Sequence, residues 1–300
     1  MERGRVDLPP CPFDLRFMRW TSPHGTQLPD WQGRTLLMGI VNVTPDSFSD
    51  GGKINSPEAA ADLAEKLSIE GADVIDVGAE STRPGATPVA TPEELRRLIP
   101  AIQAIRKRLP KIAISADTYR CEVAEAAIAA GADILNDVWG AAPDSPHSSL
   151  ATVAANCRCP WILMHNRATP VYQDFWPNII EDFRRALDRA EKAGVARHQL
   201  WIDPGFGFGK SHGENLEVLG RLNRISSLGL PVLLGTSRKS TLGKVLQQPD
   251  PLARGAGDAA CATWGIQQGA AMLRVHDVAA VRPLVQMTDA LRLGKRWISG

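Results

Sequence analysis

The sequence predicts an α/β protein, a single (β/α)8 TIM barrel with an N-terminal extension, and three observations lead there. Eight apolar, β-prone runs each end in a polar residue. Helical patterns alternate with those runs. Links from helix to strand are short, whereas links from strand to helix are long. Strands that are apolar throughout are buried on both faces, as in a parallel sheet. Eight parallel strands bring their polar tips to one rim, where such a barrel keeps its chemistry.

Residues 1–33 are rich in Pro, Arg and Trp without periodicity. They read as an extension that either closes the bottom of the barrel or stays partly disordered, with the barrel itself over residues 34–294. The first run, LLMGIVN, ends at Asn42, and Ala60, Leu63, Ala64 and Leu67 follow at amphipathic helical spacing. VIDVGAE then ends at Glu80. Thr91-Pro92-Glu93-Glu94 is a helix start, with Thr91 as N-cap, Pro92 in the first turn and Glu94 three residues after the cap. Its helix carries Leu95, Leu98, Ile99, Ile102 and Ile105.

The next tips are Asp117 of IAISAD, Asn136 and Asp137 of ILND, and His165 and Asn166 of WILMHN. Asp203 of LWID, Ser237 and Lys239 of PVLLGTSRK, and Arg274 and His276 of MLRVHD complete the set. A final stripe runs through Val281, Leu284, Val285, Thr288 and Leu291. Gly71-Ala72-Asp73 recurs as Gly131-Ala132-Asp133 and more loosely as Gly269-Ala270-Ala271. In each, a left-handed glycine stops a helix just before a strand. The long links, 44–56, 80–91, 139–147, 166–177 and 204–213, all leave polar-tipped ends. A doubly wound open sheet would also alternate strands and helices, but it would usually follow its first strand with G-x-G-x-x-G. Here Val43-Thr44-Pro45-Asp46-Ser47 follows instead.

Net charge is +1, from 34 basic and 33 acidic residues, which gives no electrostatic case for nucleic acid or a membrane surface. The expected partners are small molecules, with any anion met by local groups. No apolar stretch approaches the roughly 18 residues that span a bilayer. The N-terminus lacks the apolar core of a signal peptide, and Glu2, Asp7 and Asp14 argue against a transit peptide. Cys11, Cys121, Cys157, Cys159 and Cys261 are scattered and odd in number, as reduced thiols of a cytoplasmic protein would be.

Five segments carry chemistry. MGIVNVTPDSFSDGG (38–52) places Asn42 at a strand exit, before a polar loop with Phe48 and glycine hinges that reads as a lid. AESTRPGATP (79–88) fences Arg83 between Thr82 and Pro84, beside a strand end where an arginine can clamp an anion. IDPGFGFGK (202–210) offers Asp203, three glycines and two aromatic walls, Phe206 and Phe208. Asp117, Asn136 and Asp203 together make an acidic floor suited to a ring with adjacent N–H donors, such as an aminopyrimidine. GTSRKS (235–240) and RVHD (274–277) gather Arg238, Lys239, Arg274 and His276 in the sector where barrels often bind phosphate. The sum is a site for a nitrogen-rich ring joined to a phosphate-like leaving group.

At these residues the sequence resembles the dihydropteroate synthase family, one motif per strand end in the right order over roughly residues 35–290. The resemblance implies a barrel enzyme of folate biosynthesis, EC 2.5.1.15. Such an enzyme condenses 7,8-dihydropterin-6-ylmethyl diphosphate with 4-aminobenzoate to give 7,8-dihydropteroate and diphosphate. It implies a pterin pocket of Asp117, Asn136, Met164, Asp203, Lys239 and Arg274, and a diphosphate end of Asn42, Arg83, Arg274 and His276. Mg2+ is the implied cofactor, contacted by Asn42. The 4-aminobenzoate pocket would use Phe48, Thr82, Pro84, Phe208, Lys239 and Ser240, and sulfonamides would compete there. Asp117, Lys239 and Asp203 are the implied catalytic residues, and a homodimer the implied assembly.

One departure stands out: LMHNRATP has Asn166 and Arg167 where the family more often has a second Met and a Gly after the His. It either changes the edge of the pterin pocket or reshapes a loop. The rival readings are a pterin-dependent methyltransferase, a silent pterin-binding paralogue and a barrel aldolase. The first has no need of the Lys239, Arg274 and His276 cluster. A decayed paralogue would lose some of Asn42, Asp117, Lys239 and His276. An aldolase would want a Schiff-base lysine on an apolar strand.

Overall fold

The computed structural model describes residues 19–44, 56–81, 87–145 and 149–294. Phe48, Thr82, Arg83 and Pro84 lie outside the described residues. The strands are β1 (Leu36–Asn42), β2 (Val74–Gly78), β3 (Ala113–Asp117), β4 (Ile134–Asp137), β5 (Trp161–Met164), β6 (Leu200–Asp203), β7 (Val232–Leu234) and β8 (Ala270–Val275). Each pairs with the next in sequence order, and β8 pairs with β1, all in parallel, so the barrel is closed. The helices around it are α1 (Pro57–Glu70), α2 (Thr91–Arg108), α3 (Cys121–Ala129), α4 (Ala151–Cys157) and α5 (Phe175–Lys192). They continue as α6 (His212–Gly220), the short α7 (Asn223–Ser226), α8 (Ser240–Leu246), α9 (Gly255–Gln267) and α10 (Val278–Leu293).

Two apolar cores follow from the alternation of side chains along each strand. Leu37, Val41, Ile75, Val77, Ile114 and Leu135 face the helices in the larger one. Leu36, Met38, Val74, Ala113, Ile134 and Ile162 face inward in the smaller one, at the bottom of the barrel. Trp20 of the N-terminal segment packs into that lower core, its ring 4.7 Å from Trp201, and Trp31 meets the same ring edge-on at 5.6 Å. Burial of one such ring contributes on the order of 3 kcal/mol. Gln199 fastens this segment through Thr21, whose N–H it accepts at 2.7 Å.

The helix-stopping glycines of the repeated turns are left-handed, with φ 106 at Gly71, 115 at Gly131 and 103 at Gly269. The aspartates two residues later have a shared task. Asp73 accepts the N–H of Leu37 and Asp133 that of Ile114, both at 2.9 Å, so each caps the start of the preceding strand.

Three local expectations are corrected. Ala90, not Thr91, is the N-cap of α2, and no side chain caps the helix. Glu94 is drawn away from the helix end into the interior, where it accepts from Thr118 Oγ1 at 2.7 Å and pairs with Arg120. Leu291 is 68% exposed, while Asp289, which turns inward on α10, accepts the N–H and Oγ1 of Thr35. The strands are also shorter than the apolar runs, so Glu80, Ser237 and Lys239 stand on loops beyond their strands.

Candidate active site

Strand parity decides which polar tips reach the interior. Met38, Val74, Ala113, Ile134, Ile162, Trp201 and Met272 form the inward bottom layer. Two residues further along each strand lie Ile40, Asp76, Ser115, Asn136, Met164, Asp203 and Arg274, on the same inward face. Asn42, Gly78, Asp117 and His276 occupy the next inward level. In hydrogen-bond register Asp117 is the partner of Gly78 on β2 and of Asn136 on β4, and Met164 that of Asp203. A Cβ on Gly78 would lie 3.3 Å from Cβ of Asp117, so the glycine leaves room for the carboxylate.

The interior carries a third acid that the sequence reading passed over. Asp76, fully buried, accepts from Arg274 Nε at 2.6 Å, and Asp117 accepts from Arg274 Nη2 at 2.8 Å. Asn136 Nδ2 lies 3.3 Å from Asp76 Oδ2. Arg274 is thereby held in the acidic floor, one inward level below His276. The signal was present: a charge inside each of two apolar runs, VIDVG and MLRV, requires a partner once buried.

The other Asp117 oxygen, Oδ1, is buried without a donor among the described residues. Burial pushes Asp117 up to about 7, against the guanidinium of Arg274, while Asp76 adds to the rise. Asp203 is pushed up to about 6 by burial, opposed by the N–H of Gly205 that it accepts at 2.7 Å. Burial disfavours charge on Arg274, yet Asp76 and Asp117 outweigh it and raise the net pKa.

Two tips face away from the site. Asp137 shares the outward parity of Leu135 and accepts from Trp139 N at 2.9 Å and Trp161 Nε1 at 3.3 Å. His165 shares that of Leu163 and meets Asp182 of α5 at 3.0 Å. Burial pushes His165 down to about 4, so it is neutral at pH 7. Arg167 joins the same carboxylate through Nε at 2.9 Å and lies 4.6 Å over the Tyr172 ring. The Arg167 guanidinium is thus committed to Asp182 and Tyr172, while Asn166 accepts the Arg167 N–H at 2.9 Å.

Above the floor, Tyr119, Val138 and Met164 form a small apolar cluster against which Trp139 and Phe208 pack. Tyr119 and Val138 are walls the sequence reading missed. Phe208 in turn carries the ammonium of Lys239, 3.8 Å from its ring centre, a cation–π contact. Lys239 sits at a tight corner: Arg238 before it has φ 60, a left-handed conformation that side chains resist. Asp258 accepts the Arg238 N–H at 3.1 Å, and Arg254 donates to Arg238 O at 2.9 Å and Lys239 O at 3.2 Å. Ser240 is exposed at the start of α8. His276 Nδ1 lies 3.1 Å from Ser237 Oγ. Asn42 ends β1, half-buried.

For a metal, the donor set is sparse. Among the described residues no group of three or more His, Cys, Asp or Glu is arranged to hold an ion. The amide oxygen of Asn42 is a hard donor, compatible with an ion that arrives with phosphate oxygens and water, as Mg2+ commonly does. A separate cleft of about 420 Å³ lies at the opposite rim, lined by Arg34, Asp73, Arg282 and Asp289 among others. Arg34 is paired there with Asp73 at 2.6 Å, and none of the site residues reaches it.

The chain is similar in sequence and in fold to known proteins. A model of the pterin binding enzyme family matches residues 38–276. A dihydropteroate synthase of Bacillus subtilis (strain 168) is 46% identical over 261 residues, 87% of this chain and 90% of its own. A crystal structure of the Clostridium difficile dihydropteroate synthase in the presence of pteroic acid aligns with TM-score 0.82 and 44% identity. It covers 88% of this chain and 98% of that one. The Xanthomonas albilineans dihydropteroate synthase with 4-aminobenzoic acid aligns with TM-score 0.83 and 42% identity, covering 91% and 99% of the two chains.

Proposed function

The chain belongs to the pterin-binding enzymes of the dihydropteroate synthase family, and from that premise we propose how its residues divide the reaction. The enzyme is a transferase of folate biosynthesis. It joins the amine of 4-aminobenzoate to the methylene carbon of 7,8-dihydropterin-6-ylmethyl diphosphate, releasing diphosphate and 7,8-dihydropteroate.

In our reading Asp203 and Asn136 accept and donate along the edge of the pterin ring, with Met164 against its face. Asp117 is the electrostatic catalyst. As diphosphate departs, positive charge spreads over the dihydropterin, and a preorganised carboxylate beside it stabilises that charge as it develops. The observation that carries this reading is the Asp76–Arg274–Asp117 chain, which fixes Asp117 while Oδ1 has no donor among the described residues. Arg274 aligns the acids and keeps them ionisable in a buried place. Lys239, held over Phe208, is assigned to the boundary between the ring and the second substrate.

The diphosphate is assigned to Asn42, Arg83, Arg274 and His276. Asn42 is the residue that would hold Mg2+, which when bound neutralises charge on the leaving group. The 4-aminobenzoate is assigned to Phe208, Lys239 and Ser240, with Phe48, Thr82 and Pro84 completing its pocket, and sulfonamides are its expected competitors. No side-chain nucleophile is needed: the amine attacks the methylene carbon after diphosphate has left.

A cytoplasmic location is supported by the free thiols of Cys121, Cys157, Cys159 and Cys261. A homodimer is supported by apolar side chains left exposed on neighbouring elements, Val245 and Leu246 of α8, Leu252 in the short turn before α9, and Trp264 of α9. The test of the function is an assay supplying pterin diphosphate, 4-aminobenzoate and magnesium together. Dihydropteroate and diphosphate should form in equal amounts, and none should form without magnesium. Absence of product from well-folded protein would sink this reading.

A further inference from the structure

We propose that Lys210 is a positioning residue for the 4-aminobenzoate subsite: its ammonium clamps the Gly205–Phe208 turn onto the exit of β5 and thereby fixes the Phe208 ring. The proposal rests on the reading of Phe208 as a wall of that subsite.

The turn is a tight one. Phe208 N donates to Gly205 O at 3.0 Å, and Gly207 at its third position has φ 86, as a type II turn requires. Gly205 and Gly209 on either side are also left-handed, with φ 65 and 52. Three such glycines leave the unfolded segment with wide backbone freedom, so something must hold it in one shape. Lys210 Nζ donates to Phe208 O at 3.0 Å and Gly205 O at 3.2 Å, the carbonyls at both ends of the turn. Its third donor reaches His165 O at 3.3 Å, just past β5. An ammonium has three donors and no acceptor, so the three carbonyls use it completely.

The seat is close. A Cβ on Gly205 would lie 1.9 Å from that same His165 oxygen. Tyr172 braces the next carbonyl, donating from its hydroxyl to Gly209 O at 2.6 Å. Burial pushes the Lys210 amine down to about 7, with Asp203 and Glu214 opposing the shift. On its other side the turn presents Phe208 to Tyr119, Val138, Met164 and the Lys239 ammonium. A rigid line therefore runs from β5 through Lys210 to the aromatic wall.

Lys210→Met in the full chain removes the three donors and keeps most of the stem. The KM for 4-aminobenzoate should rise about tenfold, while kcat and the KM for pterin diphosphate stay within about threefold. In a Phe208→Ala background the same substitution should add nothing to the 4-aminobenzoate KM, because Lys210 acts through that ring. Lys210→Met that lowers Tm but leaves both KM values unchanged, or whose effect persists without Phe208, overturns the proposal. If Lys210→Met does not fold, Tyr172→Phe removes only the Gly209 bond and must raise the same KM with kcat unchanged; no rise overturns it. Hydrogen exchange of the Phe208 amide separates the clamp from the function. In Lys210→Met it should exchange about tenfold faster whether or not the chain turns over. Unchanged exchange overturns the clamp itself, whereas an inactive wild-type chain with faster exchange in the variant overturns only the subsite reading.

Discussion

Arg274 Nε on β8 lies 2.6 Å from Oδ2 of Asp76 on β2, joining two strands that are separated in the barrel by β1. Asp76 is fully buried, and the arginine side chain is 20% exposed. Removing Asp76 leaves the buried guanidinium with Asp117 alone, and breaking one side of a buried ion pair costs about 3 kcal/mol. Asp76→Asn should therefore lower the unfolding free energy by about 3 kcal/mol, read by chemical denaturation. It should also weaken pterin binding, since Arg274 loses one of its two anchors. An unchanged denaturation midpoint would show that the pair contributes nothing.

The raised carboxylates set a pH dependence. Burial places Asp203 at about 6 and Asp117 at about 7 in the free protein. A carboxylate accepts paired N–H bonds from the ring only when ionised, so pterin affinity should rise with pH through 6 to 7 and level off above. Binding below pH 7 should release protons, which calorimetry in two buffers of different ionisation enthalpy would detect. Stability runs the other way. Both groups hold protons in the folded state above the ordinary aspartate value of 3.8, so the free protein binds more protons than the unfolded chain between about 4 and 7. Its stability should fall as pH rises through that window. Affinity that falls with pH there would contradict the assignment of both residues.

Arg254 tests the corner that aims Lys239. Beyond the carbonyls of Arg238 and Lys239, it donates to Gln248 O at 3.0 Å and Pro249 O at 2.7 Å. Arg254→Met should release the left-handed Arg238 and misplace the ammonium above Phe208. Misplacement on the order of 1 Å costs about 100-fold in rate, so kcat/KM should fall by that order with circular dichroism unchanged. A variant with normal kinetics would show that Lys239 finds its place without this brace.

Most of the barrel was legible because its signals are local. All eight apolar runs became strands in the expected order, and the turn glycines are left-handed where the repeats place them. Strand parity was equally legible, yet it separates tips that adjacency had joined: Asn136 faces inward while Asp137 and His165 face the helices. What local pattern could not give was pairing over distance. Asp76 and Arg274 are 198 residues apart, and each reads as an isolated charge until the barrel closes. The same holds for Glu94, which looks like part of a helix cap and instead pairs with Arg120. Lys210 looked like the end of a glycine-rich motif, and only the folded turn reveals three carbonyls around its ammonium.

The central claim is that Asp117, held by Arg274, stabilises the pterin cation. The most direct measurement is the turnover of Asp117→Asn, a near-isosteric change that removes the charge. Loss of one preorganised group costs about 100-fold or more, so kcat should fall by at least that factor in a protein with wild-type circular dichroism. A kcat near that of the wild type would remove Asp117 from the mechanism and contradict the account.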